Sequence, residues 1–230
     1  MDTNNWLANT LIYYRQMQFF SHYQDFSNYE LVNEVKKMAK KLYSNIYEHF
    51  FDEREDWFVL KLDIQRVFDI DFGSIYGDYC GIEGINDSIQ QILSIAEISR
   101  GFFAPNKVIS YYINECYGKI YSEKDLLKYF EHLPPDENIH KYYKNIVDFE
   151  IDGSRHLIVG SYDPSLIAFQ INKLIINTGY QFYLGEFGNP TPMLLLNQEE
   201  KQKLQQDRGL RVNVIRPGKD TSWLNLPSNL

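Results

Sequence analysis

Apolar positions recur at helical spacing in two early segments. Residues 5–23 carry Leu7, Leu11 and Tyr14 on one stripe. The next segment opens with Ser27-Asn28-Tyr29-Glu30, the form of a capping box, in which serine and glutamate side chains satisfy each other's backbone amides. Leu31, Val35, Met38, Leu42, Ile46 and His49 follow at helical spacing, with Lys36, Lys37, Lys40 and Lys41 left to water. A break at 25–27 makes these a helical hairpin over residues 1–51, packed on the rest of the chain.

The charged run Asp52-Glu53-Arg54-Glu55-Asp56 ends that region. Residues 57–62 (WFVLKL) are short and apolar and are predicted as a strand. Residues 67–72 alternate apolar and acidic, the period-two pattern of a half-buried strand. Three helices are predicted next. The first starts at Asn86 or Asp87 and runs to about Arg100, with Ile89, Ile92, Leu93 and Ala96 on its face and Gly101 at its end. The second opens at Pro105 and carries Val108, Ile109, Tyr112, Ile113 and Cys116 up to Gly118. The third starts at Ser122, carries Leu126, Leu127 and Phe130, and ends at Pro134-Pro135.

Asp152-Gly153 between two apolar runs signals a hairpin. A three-residue loop of Asp152, Gly153 and Ser154 pairs Phe149 with Leu157, Val147 with Val159, and Glu150 with His156. It is preferred to a Gly153-Ser154 loop, which sets Val147 against Gly160. Asp163-Pro164 supplies an N-cap and a proline at the first helical position, ahead of Ile167, Ile171, Leu174 and Ile175. A second hairpin pairs 180–187 with 191–196. Asn197-Gln198-Glu199-Glu200 then opens a short polar helix, and Leu210, Val212 and Val214 make a last strand. Hairpins mixed with helices predict the α+β class, with a mixed or mainly antiparallel sheet and packed helices, preceded by the N-terminal helical hairpin. Residues 52–217 form the expected α+β domain, and 218–230 an exposed tail.

Composition narrows the function classes. The 230 residues are 44% hydrophobic and 23% charged, which excludes a disordered chain. Thirty-one acidic against twenty-three basic residues give a net charge of -8. Non-specific nucleic-acid binding draws on Lys and Arg, so no nucleic-acid partner is expected. No apolar run reaches the roughly 18–20 residues of a membrane span, and the N-terminal segment has no uninterrupted apolar core of a secretory leader. No membrane partner is expected, and two cysteines, too few for a disulfide framework, suit a reducing cytoplasm.

Candidate chemistry is sparse. Residues 73–84 (GSIYGDYCGIEG) hold four glycines ahead of a helix, and Tyr76, Asp78, Tyr79, Cys80 and Glu83 fall within them. Glycines let a backbone approach a ligand closely. The phosphate-loop and dinucleotide orders are missing, however, and Asp78 and Glu83 oppose both a phosphate and a Cys80 thiolate. Asp63, Asp69 and Asp71 could bring carboxylate oxygens to one hard cation, which would suit a metal-assisted hydrolase or nuclease. At the first hairpin, Glu150, Asp152 and His156 cluster without the lysine that restriction-type nucleases place there. Motifs of zinc proteases, serine hydrolases and paired-cysteine sites are absent.

What remains is an acidic patch, Asp52, Glu53, Glu55 and Asp56, beside Trp57 and Phe58. Ring anchors with a charged rim suit a protein interface, and opposite charge speeds association with a basic partner. The expectation is therefore a non-enzymatic cytoplasmic protein-binding domain with no cofactor, whose partner is a basic protein. Bacterial immunity proteins, acidic domains that cover a toxin's active site, are an analogy of class that no motif carries. The alternatives are the metal-assisted enzyme on Asp63, Asp69 and Asp71, and a small-ligand site in the glycine-rich loop.

Overall fold

The computed structural model describes residues 2–70, 87–114, 118–122, 124–126, 128, 143–161, 163–219 and 221–226. The fold is α+β, as expected, with two antiparallel four-stranded sheets and the N-terminal helices in place. The chain forms two compact units, Met1–Ile70 with Tyr183–Val214, and Asp71–Phe182 with Ile215–Leu230. Residues 52–217, expected as one domain, are shared between them.

In the first unit, α1 (Thr3–Gln16) is capped by the Asp2 carboxylate, which accepts from the Asn5 amide at 3.0 Å. The chain then turns through residues 17–20, with Gln18 and Phe20 at φ of 61° and 56°. The predicted helix at 5–23 therefore stops early, and Ser21–Tyr23 form only a 3₁₀ turn. Helix α2 (Asn28–Tyr43) begins with both hydrogen bonds of the Ser27–Glu30 capping box, a cap worth about 1 kcal/mol. Its buried face is Leu31, Val32, Val35 and Ala39. Leu42, in its last turn, is already half exposed, and Ser44 then interrupts the helix at a φ of 50°, so Ile46 also leaves the buried stripe. Helix α3 (Tyr47–Asp52) follows.

The predicted strand at 57–62 is instead a helix, α4 (Asp56–Lys61). A short apolar run does not distinguish the two by period. Here tertiary packing decides, because Phe58 sits against the rings of Tyr43, Phe50 and Phe51 at centroid distances of 4.6–5.4 Å. Strand β1 (Val67–Ile70) takes up the predicted alternation, pairing antiparallel with β7 (Thr191–Asn197). The sheet is completed by β6 (Tyr180–Gly185) and β8 (Val212–Val214), in the order β1-β7-β6-β8. Leu7, Leu11, Leu31, Phe58, Leu194 and Leu204 share one buried cluster, so the N-terminal helices and α7 (Gln198–Arg208) close over this sheet. In the β6–β7 loop, Gly188 has a φ of 72°, and a Cβ there would meet the Trp57 ring at 2.8 Å.

The second unit holds α5 (Asp87–Ile98), β2 (Asn106–Asn114), β3 (Ile120–Tyr121), β4 (Tyr143–Ile151), β5 (Ser154–Val159) and α6 (Pro164–Leu174). Its strand order is β3-β2-β4-β5. The predicted helix from Pro105 is thus the strand β2. The run Lys107–Ile113 is rich in β-branched and aromatic residues, and β4 offers it a full antiparallel partner. Ser122 accepts from the Asp125 amide at 3.2 Å and opens the predicted third helix at Lys124–Leu126, with Leu126 buried. Most of that helix lies outside the described residues.

The first hairpin also differs from expectation. Ile151 pairs with Ser154, Phe149 with His156, Val147 with Ile158 and Ile146 with Val159, around a two-residue Asp152-Gly153 turn. Both turn residues have positive φ, 51° and 78°, as a type I′ turn requires, and its twist matches that of the strands. Turn geometry therefore decides the register over the expected three-residue loop. Glu150 then faces Arg155 rather than His156, and its carboxylate accepts from Lys107 at 2.8 Å. Helix α6 keeps its predicted cap, the Asp163 carboxylate accepting from the Ser165 amide at 2.8 Å. From α6, the buried Gln170 side chain both accepts from the Val159 amide (2.9 Å) and donates to the Val159 carbonyl (2.7 Å), occupying the free edge of β5.

Candidate functional site

An open cleft of about 560 Å³ lies in the first unit between the start of α1, the middle of α2 and all of α3. Asp2, Thr3 and Asn4 come from α1 and its cap, Lys36 from α2, and Tyr47, Glu48, Phe51 and Asp52 from α3. Phe51 is buried at 3% exposure and supplies an apolar floor. Glu48 and Asp52 stand four residues apart, and that helical spacing turns both toward one side. Three carboxylates thus share the lining with one ammonium.

The ammonium is already engaged: Lys36 Nζ donates to Asn4 Oδ1 at 2.6 Å. Tyr47 donates its hydroxyl to Glu48 Oε1 at 2.9 Å, and this bond to a carboxylate raises the phenol's pKa above 10.0. Glu53, one residue beyond Asp52, is exposed, with His49 Nδ1 at 3.5 Å from its carboxylate. A net negative charge above a ring, three carboxylates against one ammonium, suits a cationic side chain that buries its stem and keeps its charge wet.

The acidic patch expected at 52–57 divides. Asp52 and Glu53 are exposed and Glu55 is half-buried. Asp56 is turned inward, accepting from Thr10 Oγ1 (3.2 Å) and from Arg208 Nη1 (2.8 Å), which ties α1, α4 and α7 together. Trp57 packs on Phe50 at 5.2 Å and lies under Gly188, so its ring belongs to the core margin. Asp2, Lys36, Tyr47 and Glu48 were not anticipated. The Glu48/Asp52 spacing was the available signal, hidden because the helix carrying it restarts at Tyr47 instead of continuing α2.

Of the carboxylates considered for a metal, Asp63 is fully buried and accepts from the Phe20 amide at 2.5 Å. Asp69 pairs with the buried Lys61 at 3.0 Å, and Lys61 also donates to the Pro190 carbonyl. Burial raises the pKa of both acids, to about 6 for Asp63. Among the described residues, no group of three or more His, Cys, Asp or Glu side chains could hold a metal ion. Asp71, and the loop candidates Tyr76, Asp78, Tyr79, Cys80 and Glu83, lie outside the described residues. No helix among those described is long and apolar enough to cross a membrane. Comparison with protein-family models, with curated proteins and with solved structures gave no match.

Proposed function

We propose that the protein is a non-enzymatic cytoplasmic protein-binding domain that receives a basic partner at the α1–α2–α3 cleft. The observation that carries this reading is the lining itself: Asp2, Glu48 and Asp52 around a Phe51 floor, against the single positive charge of Lys36. Glu53 extends the acidic rim, and the whole-chain charge of -8 adds long-range attraction for a positive surface. An immunity-type inhibitor, laid over the active site of a basic toxin, is the finer form of the same reading.

The test compares wild type with the triple variant Glu48→Lys, Asp52→Lys, Glu53→Lys as baits in extract of the native host. A protein retained by wild type, lost from the variant and released as salt rises supports the reading. Equal retention by both baits, or no retained protein above background, contradicts it.

A further inference from the structure

Asp63 has a setting unlike that of any other described acid. It follows α4, is 0% exposed, and points into the connection between α1 and α2. That connection is conformationally demanding, since Gln18 and Phe20 both hold positive φ without being glycine. Two side chains from the segment after α4 grip it. Asp63 Oδ2 accepts from the Phe20 amide at 2.5 Å, and Arg66 Nη1 donates to the Gln18 carbonyl at 2.6 Å. The Arg66 guanidinium also lies 4.4 Å from the centre of the Phe19 ring.

The second carboxylate oxygen, Oδ1, meets no donor in hydrogen-bonding geometry and has His22 Nδ1 at 3.9 Å, while the Gln65 backbone amide adds a small pull toward the ionised form. The charged or titratable groups facing Asp63 are therefore Arg66 from its own segment, and His22 and Tyr23 from the 3₁₀ turn. A carboxylate shut away from water, with one oxygen unserved, is better solvated when the turn opens. A neutral acid costs far less to keep buried: its carbonyl oxygen still accepts from Phe20, and Oδ1 carries the proton.

We propose that residues 17–23 form a pH-responsive latch, closed more tightly when Asp63 is protonated and loosened when it ionises. Burial raises the Asp63 pKa from 3.8 to about 6, against the smaller pulls of the Phe20 amide, Arg66 and the Gln65 amide, which sets the working range between those values. His22 opposes the effect. Burial lowers its pKa from 6.5, so acidification charges it more readily in the open turn.

Amide hydrogen exchange at Phe20, corrected for the intrinsic rate, reads the latch directly. In a His22→Gln variant, which removes the opposing group, protection should be about tenfold greater at pH 5 than at pH 7.5, as a two-unit shift requires. Wild type should show the same sign with smaller amplitude, and Asp63→Asn should show no increase on acidification. Flat protection in His22→Gln, or an increase that survives Asp63→Asn, overturns the proposal. Should Asp63→Asn fail to fold, carbon NMR titration of the wild-type Asp63 carboxyl decides. A midpoint near 6 supports the latch, and one at or below 4 refutes it.

Discussion

Apart from the half-buried Glu55, the carboxylates between residues 48 and 63 fall into two sets that share a stretch of chain and little else. Glu48, Asp52 and Glu53 face water or the cleft, and the protein provides them with little opposing charge. Asp56 and Asp63 turn inward and are held by named donors: Thr10 and Arg208 for the first, the Phe20 amide for the second. Removing an inward acid leaves buried donors unpaired, which is costly, whereas an exposed acid contributes little to folding. Asp56 therefore maintains the fold, Asp63 does so in its protonated form, and the outward set is free to serve a partner.

Asp63 should give the largest effect. Its folded pKa lies above its unfolded one, so the stability it contributes is present below about pH 4 and is lost as pH rises through about 6. Urea titrations of wild type and Asp63→Asn should show their stability difference moving by about 2 kcal/mol between pH 4 and pH 7 against wild type. A difference that stays constant across that range would remove Asp63 from the account.

Asp56→Ala comes next, costing about 2 kcal/mol because Arg208 and Thr10 lose their acceptor in a partly buried setting. Its signature is a lower denaturation midpoint at neutral pH. Glu200 is a smaller inward case: 7% exposed, it closes the capping box of α7 by accepting from the Asn197 amide at 3.0 Å. Glu200→Ala should cost about 1 kcal/mol in the same titration. Reversing Glu48, Asp52 and Glu53 should leave the midpoint close to wild type, and a large drop would merge the two sets.

Where local chemistry dictates conformation, the sequence was readable. Ser27/Glu30, Asn197/Glu200 and Asp163-Pro164 each cap the helix they were expected to cap. Period-two alternation found β1, although its apolar-acidic pattern did not show that Asp69 pairs with the buried Lys61. Residues 57–61 and 106–114 were misassigned because their identity comes from neighbours distant in sequence. The first is helical within a cluster of rings, and the second is a strand because β4 pairs with it. The turn at 17–20 left no local trace either, since Gln18 and Phe20 do not favour positive φ and the residues gripping them are Asp63 and Arg66. As for the site, Asp52 and Glu53 were legible as an acidic run. The cleft was not, because it needs α1 and α2 brought alongside α3.

The most direct measurement is the affinity of the protein captured from the native host, determined at low and high salt for wild type and for the triple lysine variant at residues 48, 52 and 53. The account predicts a wild-type affinity that falls steeply with salt and a variant at least tenfold weaker at low salt, the two converging as screening removes the attraction. Affinity unchanged by the triple reversal, with the same salt dependence in both, would contradict it.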